Sequence, residues 1–232
     1  MRKLISYPIS PHMPGWPGNP TYSLAPFDSM DRGMEDNTYT VTLFNHFGTH
    51  FDAPRHFVAD GLTISELPFD AFFYAAPLLL DIPKGSREKV EPEDLEPYAE
   101  QIAACDLLMI RTGYARVRRE DPEEYSHNSP AVSSRAAQYL RDRFTGTLKA
   151  VALDFLSLAT PHDDSGDGVL AHQIMLGKFQ PGYICIIEDV DMSELPDRIR
   201  AAAAIPLFLE GIDSGPVTMW AELAEYFQAH NT

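Results

Sequence analysis

Short apolar runs recur along the chain, separated by polar segments rich in proline and glycine, and such runs are typical of buried strands. We predict strands at residues 76–82, 106–111, 149–154, 183–187 and 205–209. Residues 39–44 alternate polar and apolar side chains, which predicts a further strand with one buried face. Helical periodicity covers residues 92–104, 133–144 and 170–178, and the first of these segments has a proline suited to the first helical turn.

Strands interleaved with only three helices predict an α/β fold with a mixed central sheet, because a strictly alternating βαβ fold would need more helices. No repeat and no linker-like stretch divides the chain, so we expect a single domain over residues 1–232. No glycine-rich phosphate loop follows the early strands, which argues against nucleotide binding.

The charge balance narrows the range of partners. The chain has 18 Lys and Arg against 34 Asp and Glu, a net charge of −16, and would be repelled by nucleic acid and by anionic membranes. Its two cysteines, Cys105 and Cys185, lie in apolar runs and are predicted to be buried, reduced thiols. The N-terminal segment becomes polar and proline-rich too early for a signal peptide, and no apolar run has membrane-spanning length, so we expect a cytoplasmic protein.

The segment 45–57 reads N-H-F-G-T-H-F-D-A-P-R-H-F and holds three of the eight histidines. Its potential ligands, His46, His50, Asp52 and His56, occupy even positions, which an extended backbone would present on one face. The glycine and proline between them argue against a helix. Imidazole and carboxylate groups suit Zn²⁺, Mn²⁺ or Fe²⁺, so the spacing predicts a metal site rather than a histidine-rich surface strand. The odd positions carry three phenylalanines that we expect to point the other way, into the core: Phe47, Phe51 and Phe57.

The motif H-x-G-T-H-x-D-x-P-x-H resembles the signature of the metal-dependent cyclase family, which includes bacterial kynurenine formamidases and isatin hydrolases. Similar landmarks follow in order along nearly the whole chain. They are the tryptophan loop 14–18, the D-x-x-S segment from Asp154 to Ser157, Ala171-His172, Ile187-Glu188, and Gly215-Pro-Val.

The resemblance implies a swivelling β/β/α fold and a role for each matched residue. His46, His50 and Asp52 would hold one metal ion, and Asp52 would also reach a second ion. His172 would be a ligand of that second ion, and Glu188 would bridge or complete the pair; on local pattern alone, both are equally compatible with ordinary structural positions. His56 would donate and accept a proton, and Trp16 would form a wall of the substrate pocket. Two Zn²⁺ ions per chain, with Mn²⁺ as the alternative, and a homodimer or homotetramer are also implied.

This ligand set favours a metal-dependent hydrolase of small amides, in which water activated by the metal attacks a carbonyl and His56 protonates the leaving nitrogen. By resemblance, aryl formamides similar to N-formylkynurenine are the leading substrates. Two alternatives stay open. One is the opening of a cyclic amide or lactone, or a cyclisation, at the same site. The other is a non-catalytic, metal-dependent binding protein for an aromatic acid, although the proton-carrying His56 favours an enzyme.

Several features differ from the formamidase pattern or stand apart from the motif. The turn 178–182 is longer than usual, the loop 160–168 looks inserted, and Thr218 stands where the family often has arginine; we expect these changes to affect substrate choice.

Asp163, Ser165 and Asp167 resemble a calcium loop, but Ile174 replaces the bidentate glutamate that an EF-hand requires. We expect Asp154 and Ser157 to support the metal ligands. The remaining histidines without a pattern around them are expected at the surface: His12, His127 and His230.

Overall fold

The computed structural model describes residues 1–224, and the predicted surface residue His230 lies outside them. The strands are β1 Arg2–Leu4, β2 Ser23–Asp28, β3 Thr38–Thr42, β4 His50–Asp52, β5 Phe73–Tyr74, β6 Pro77–Asp81, β7 Lys89–Val90, β8 Leu107–Arg111, β9 Ala131–Val132, β10 Ala150–Leu153, β11 Cys185–Glu188, β12 Ile199–Pro206 and β13 Ser214–Leu223. The α-helices are α1 Pro92–Leu95, α2 Ala99–Ala103, α3 Ala115–Glu120, α4 Pro122–Asn128, α5 Ser134–Phe144 and α6 Asp167–Met175.

Nine of the strands form one mixed sheet in the order β5-β12-β13-β4-β11-β10-β8-β6, with β1 beside β13. Strands β6, β8, β10 and β11 run parallel to one another. Strand β4 joins the antiparallel group between β11 and β13. Strand β12 also approaches β6, so the sheet is nearly closed. The predicted α/β single domain with a mixed central sheet is confirmed.

Both faces of the parallel strands are buried, which explains why they appear in the sequence as unbroken apolar runs. Leu108, Ile110 and Val151 point towards the core that contains α5 and α6. Their neighbours Leu107 and Met109 point into the curl of the sheet, where alanines of β12 and β13 also pack. Cys105 and Cys185 are buried and free, as predicted.

The predicted strands at 76–82, 106–111, 149–154 and 183–187 are confirmed as β6, β8, β10 and β11 with slightly different ends. The strand predicted at 205–209 is mostly wrong, because β12 begins at Ile199 and ends at Pro206. The prediction of a buried face at 39–44 is also wrong. Strand β3 pairs only with β2, and this two-stranded hairpin leaves most of its residues exposed.

The predicted helix 92–104 is divided into α1, a 3₁₀ turn at Glu96–Tyr98, and α2. Pro97 lies in that turn and has no N–H for a continuous helix. The segment 133–144 is confirmed as α5, with the Ser133 side chain accepting the N-cap hydrogen bond from the Ala136 amide. The third helix, α6, begins earlier than predicted, at Asp167, and ends before Gly177, which has φ of 93°. Helices α3 and α4 were not predicted.

No helix within residues 1–224 has both the length and the apolar character needed to cross a bilayer.

Candidate metal and catalytic site

Strand β4 brings the centre of the histidine motif between two other site-forming strands. Its His50 pairs in register with Glu188 of β11, and its Asp52 pairs with Ser214 of β13. His50 and Asp52 are two residues apart on a strand and therefore share a face, so His50 Nε2 lies 3.5 Å from Asp52 Oδ1. His50 Nε2 also lies 3.3 Å from Glu188 Oε2.

The four motif residues do converge, but the predicted extended backbone is wrong outside β4. His46 lies in a bend before the strand, and His56 ends a 3₁₀ turn at Pro54–His56. Gly48 makes the bend possible with φ of 70°, and a Cβ there would lie 2.8 Å from Met13 Cε. As a result the rings of His46 and His56 lie in contact, with centroids 4.1 Å apart and planes inclined at 36°.

The phenylalanine prediction holds for two of its three residues. Phe47 and Phe51 are buried, but Phe57 is only half-buried, and it faces the site as well as packing against the core. Its ring stacks on the imidazole of His172 with centroids 4.7 Å apart.

Helix α6 and strand β11 complete the site from the second half of the chain. His172 Nε2 lies 3.4 Å from Glu188 Oε1. The Ser157 hydroxyl donates to the same Oε1 at 2.9 Å, and the Leu158 amide donates to it at 2.6 Å. The predicted support from Ser157 is therefore present. Asp154 instead accepts hydrogen bonds from Thr112 and Gly113 in the loop after β8, so its predicted contact with a site ligand is wrong.

Backbone carbonyls orient two of the imidazoles. His50 Nδ1 donates to the Gly48 carbonyl at 2.7 Å, and His172 Nδ1 donates to the Gly168 carbonyl at 2.8 Å. Each Nε2 is thereby turned towards the carboxylates, that of His50 towards Asp52 and Glu188 and that of His172 towards Glu188. Metal-binding histidines are usually fixed by this kind of second hydrogen bond.

Several buried polar atoms of the site have no hydrogen-bond partner among residues 1–224, namely His50 Nε2 and both carboxylate oxygens of Asp52. His46 Nδ1 lies 3.2 Å from Asp52 Oδ1 but lacks hydrogen-bond geometry. Unpaired buried carboxylate oxygens are costly, and an ion would satisfy them.

Ligand atoms in this part of the structure converge in three groups. One of them joins His46 and His56 to Asp213, and the other two share Asp52. Of these two, one is His46, His50 and Asp52, and the other is Asp52, His56 and His172, each with its atoms within 4.8 Å of one another. The donors are all nitrogen and oxygen, which fits a borderline divalent cation. The residues present therefore fit a metal centre built around Asp52.

Without an ion, protons balance the charge of the carboxylates. Burial lowers the pKa of His46, but the neighbouring Asp213 and Asp52 carboxylates outweigh it and raise that pKa to about 10. Burial also opposes the ionisation of Glu188, whereas the His172 and His50 imidazoles lower its pKa to about 2. The pKa values of His50 and His172 are raised by Asp52 and Glu188 respectively, against the effect of burial.

Asp213 is a site residue that the motif did not predict. Its Oδ2 accepts hydrogen bonds from His46 Nε2 and from His56 Nδ1, both at 2.9 Å. It lies in the loop before β13, far from the motif in sequence. The only signal was an acidic residue two positions before the Gly215-Pro-Val landmark.

A cavity of about 340 Å³ opens beside the ligands. Its walls are mainly aromatic and apolar, formed by Trp16, Phe44, Phe57, Leu156 and Val169. None of the described residues that line it is Lys or Arg. The cavity is large enough for a small planar molecule, and Trp16 is one of the residues that line it.

Asp189 also reaches this cavity, but its charge is already paired. Arg118 donates to its two carboxylate oxygens at 2.7 and 2.8 Å, and the Tyr125 hydroxyl donates at 2.7 Å. All three side chains are buried. Asp189 therefore offers no free carboxylate to a ligand.

The features that differ from the formamidase pattern lie outside the cavity lining. Thr218 is exposed on β13, and the buried Arg141 holds the carbonyls of the turn 178–182. In the loop 160–168, the Lys89 ammonium donates to Asp163 at 2.8 Å and to Asp167 at 2.9 Å, so both calcium-like carboxylates are paired with a lysine. Only the residues next to this loop, Ala159 and Val169, reach the cavity.

The family model described as "Putative cyclase" matches residues 4–160. An uncharacterized protein of Haemophilus influenzae (strain ATCC 51907 / DSM 11121 / KW20 / Rd) is 43% identical over 119 residues, which are 51% of this chain and 83% of that protein.

Two solved structures share the fold. Isatin hydrolase A from Labrenzia aggregata, bound to benzyl benzoate, superposes with a TM-score of 0.81 at 18% identity, covering 97% of this chain and 94% of that one. A protein described as a potential metal-dependent hydrolase with cyclase activity superposes with a TM-score of 0.71 at 21% identity, covering 97% and 98%.

Proposed function

The chain belongs to the cyclase family, and on that premise we propose that it is a metal-dependent hydrolase of small amides that carry an aromatic ring. The observation that carries the proposal is the group of unpaired, buried ligand atoms on His50 and Asp52 beside an aromatic cavity. The hydrolase and metal-dependent hydrolase among the structural relatives support the same class of reaction.

We assign His46, His50, Asp52, His172 and Glu188 as ligands of two divalent cations, with Zn²⁺ or Mn²⁺ as the candidates. When bound, the cations supply Lewis-acid chemistry that activates water and polarises a carbonyl. The protein's own contribution is to fix the ligands, through the Gly48 and Gly168 carbonyls and the Ser157 hydroxyl.

His56 is the proposed proton carrier. Its Nδ1 is engaged by Asp213, so its Nε2 is left to take a proton from the attacking water and deliver it to the leaving nitrogen. The ring borders the cavity and is only partly buried, which lets it reach a substrate.

The cavity walls suit a flat aromatic group between Trp16 and the phenylalanines. Aryl formamides are the first candidate substrates. A cyclic aromatic amide such as isatin is the second, and one observation favours it over a formamide with an amino-acid tail. No Lys or Arg among the described lining residues is available to pair with a substrate carboxylate.

The test is turnover by purified, metal-loaded protein on formanilide, N-formylkynurenine and isatin. We expect at least one uncharged aromatic substrate to be hydrolysed, with activity lost to a chelator and restored by Zn²⁺ or Mn²⁺. Tight binding of these compounds without turnover would instead support a metal-dependent binding protein, and preference for an aliphatic amide would refute the aromatic assignment.

We also propose that the protein is a homodimer or homotetramer and that the hairpin of β2 and β3 contributes to the contact. A two-stranded hairpin is only marginally stable alone, and this one exposes apolar side chains, including Leu24, Phe27, Tyr39 and Val41. A Phe27→Asp, Val41→Asp double variant should lower the mass measured by light scattering. An unchanged oligomer in that variant, or a monomeric parent protein, would contradict the proposal.

A further inference from the structure

The two carboxylate oxygens of Asp213 accept hydrogen bonds from three nitrogen donors. Oδ2 accepts from His46 Nε2 and His56 Nδ1, both at 2.9 Å, and Oδ1 accepts from the Asn45 side-chain amide at 2.8 Å. Nitrogen-to-oxygen distances near 2.9 Å are those of ordinary N–H···O hydrogen bonds. The carboxylate therefore connects an assigned metal ligand to the assigned proton carrier.

These contacts determine which nitrogen of each ring carries a proton. If Asp213 accepts from His46 Nε2–H, then the neutral ring that binds an ion has its free lone pair on Nδ1, and that atom is the one near Asp52. If Asp213 accepts from His56 Nδ1–H, then His56 Nε2 is the free atom. A single carboxylate thus selects the tautomer that the metal site needs and the tautomer that proton transfer needs.

The position of Asp213 is itself fixed by the sheet. Its carbonyl accepts a hydrogen bond from the Ala53 amide at 2.9 Å, and the next residue, Ser214, pairs in register with Asp52. The loop before β13 is thereby joined to the strand that carries His50 and Asp52. These contacts fix the backbone of Asp213 relative to the ligands on β4, and the hydrogen bonds of its carboxylate orient the side chain.

We propose that Asp213 is a positioning residue that fixes the orientation and tautomer of both His46 and His56. It acts through these two rings rather than as a metal ligand. The proposal rests on the function proposed above for His56, but its spectroscopic test does not require a substrate.

The experiment compares the parent protein with Asp213→Ala, Asp213→Asn and the reciprocal double variant Asn45→Asp, Asp213→Asn. In Asp213→Asn the carboxylate charge is lost, and the new amide nitrogen is held only if the Asn45 amide turns over to present its oxygen as the acceptor. The double variant restores a carboxylate acceptor at position 45 while leaving a neutral amide beside the histidines. Asp60→Asn, at an exposed position, is the control for loss of one negative charge.

Three quantities are measured on Zn²⁺-loaded protein: the tautomers of His46 and His56 by long-range ¹⁵N NMR, the number of bound ions at saturating zinc, and kcat with KM. Loss of a residue that orients a metal-binding histidine typically costs 10–100-fold. We expect a kcat loss of about that size in Asp213→Asn with KM within about threefold, mixed tautomers in Asp213→Ala, and an unchanged number of ions. The double variant should regain a single tautomer and much of the lost kcat.

Parent-like tautomers and kcat in Asp213→Ala would overturn the proposal. Loss of one ion at saturating zinc would also overturn it, because Asp213 would then be a ligand. A double variant with restored tautomers but no recovery of kcat would show that the charge of Asp213, not positioning, supports the rate. If the parent hydrolyses none of the substrates but Asp213→Ala still has mixed tautomers, the proposed function fails and the positioning role stands.

Discussion

The site has two halves that differ in burial. His50, Asp52, His172 and Glu188 are each at most 4% exposed. The side chains of His46, His56 and Asp213 are 15%, 23% and 28% exposed. An unpaired charge costs much free energy in the buried first half and little in the more exposed second half. The buried half is therefore suited to holding cations, whereas the exposed half combines the metal ligand His46 with the proposed proton carrier His56.

The largest effect should follow from removing the carboxylate shared by the candidate metal groups. Asp52→Ala should lose most bound Zn²⁺ and nearly all activity, as measured by elemental analysis and turnover. Asp154→Asn is the matched control, since Asp154 is equally buried but touches no site ligand. It should lower thermal stability and keep the metal. Full metal retention in Asp52→Ala would contradict the shared role.

A variant of the exposed half should separate rate from metal binding. His56→Ala should lose about 10²–10⁴-fold in kcat, the usual contribution of a general acid or base, with metal content unchanged. His50→Ala, from the buried half, should lose metal and rate together. If His56→Ala empties a site instead, His56 is a ligand, as its proximity to Asp52 and His172 would allow.

The pH dependence of metal binding is the next test. Because the pKa of His46 is raised from 6.5 to about 10, the metal-free imidazole is protonated at neutral pH and must lose that proton to bind an ion. Zinc affinity should therefore rise with pH, by about tenfold per unit for each displaced proton, until the pH approaches that pKa.

The same shift makes the stability of the metal-free protein depend on pH. The contribution of His46 to the free energy of unfolding is fully present below pH 6.5 and is lost as the pH rises towards 10. Zinc competition assays and thermal unfolding between pH 6 and 9 measure the two trends. A zinc affinity that does not change with pH would show that His46 binds no ion.

The smallest effect concerns the cavity wall. Stacking on an aromatic ring contributes about 0.5–1.5 kcal/mol beyond burial, so Trp16→Ala should weaken the binding of an aromatic substrate by about 2–12-fold. Trp220→Ala is the control, because Trp220 lies on β13 and is not among the residues lining the cavity. Unchanged turnover and affinity in Trp16→Ala would refute the proposed role of Trp16 as a wall of the substrate pocket.

The sequence determined the parts of this protein that depend on local pattern. Unbroken apolar runs predicted the buried parallel strands, because a strand covered on both faces needs no polar positions. The spacing of His50 and Asp52 predicted a shared face, and β4 provides it. The family resemblance that the motif carries also predicted His172, Glu188 and Trp16 as site residues. In the structure all three line the cavity beside the motif.

Tertiary structure decided what local pattern could not. Strand β4 lies between β11 and β13, so residues more than 130 positions apart meet, and Glu188 and Asp213 reach the histidines only through that pairing. The route of the chain from His46 to His56 depends on the left-handed Gly48 and a 3₁₀ turn rather than on a strand period. Phe57 faces His172 for the same reason. Whether a side chain faces the core or a cavity is determined by the elements that pack against it. These elements come from distant parts of the chain.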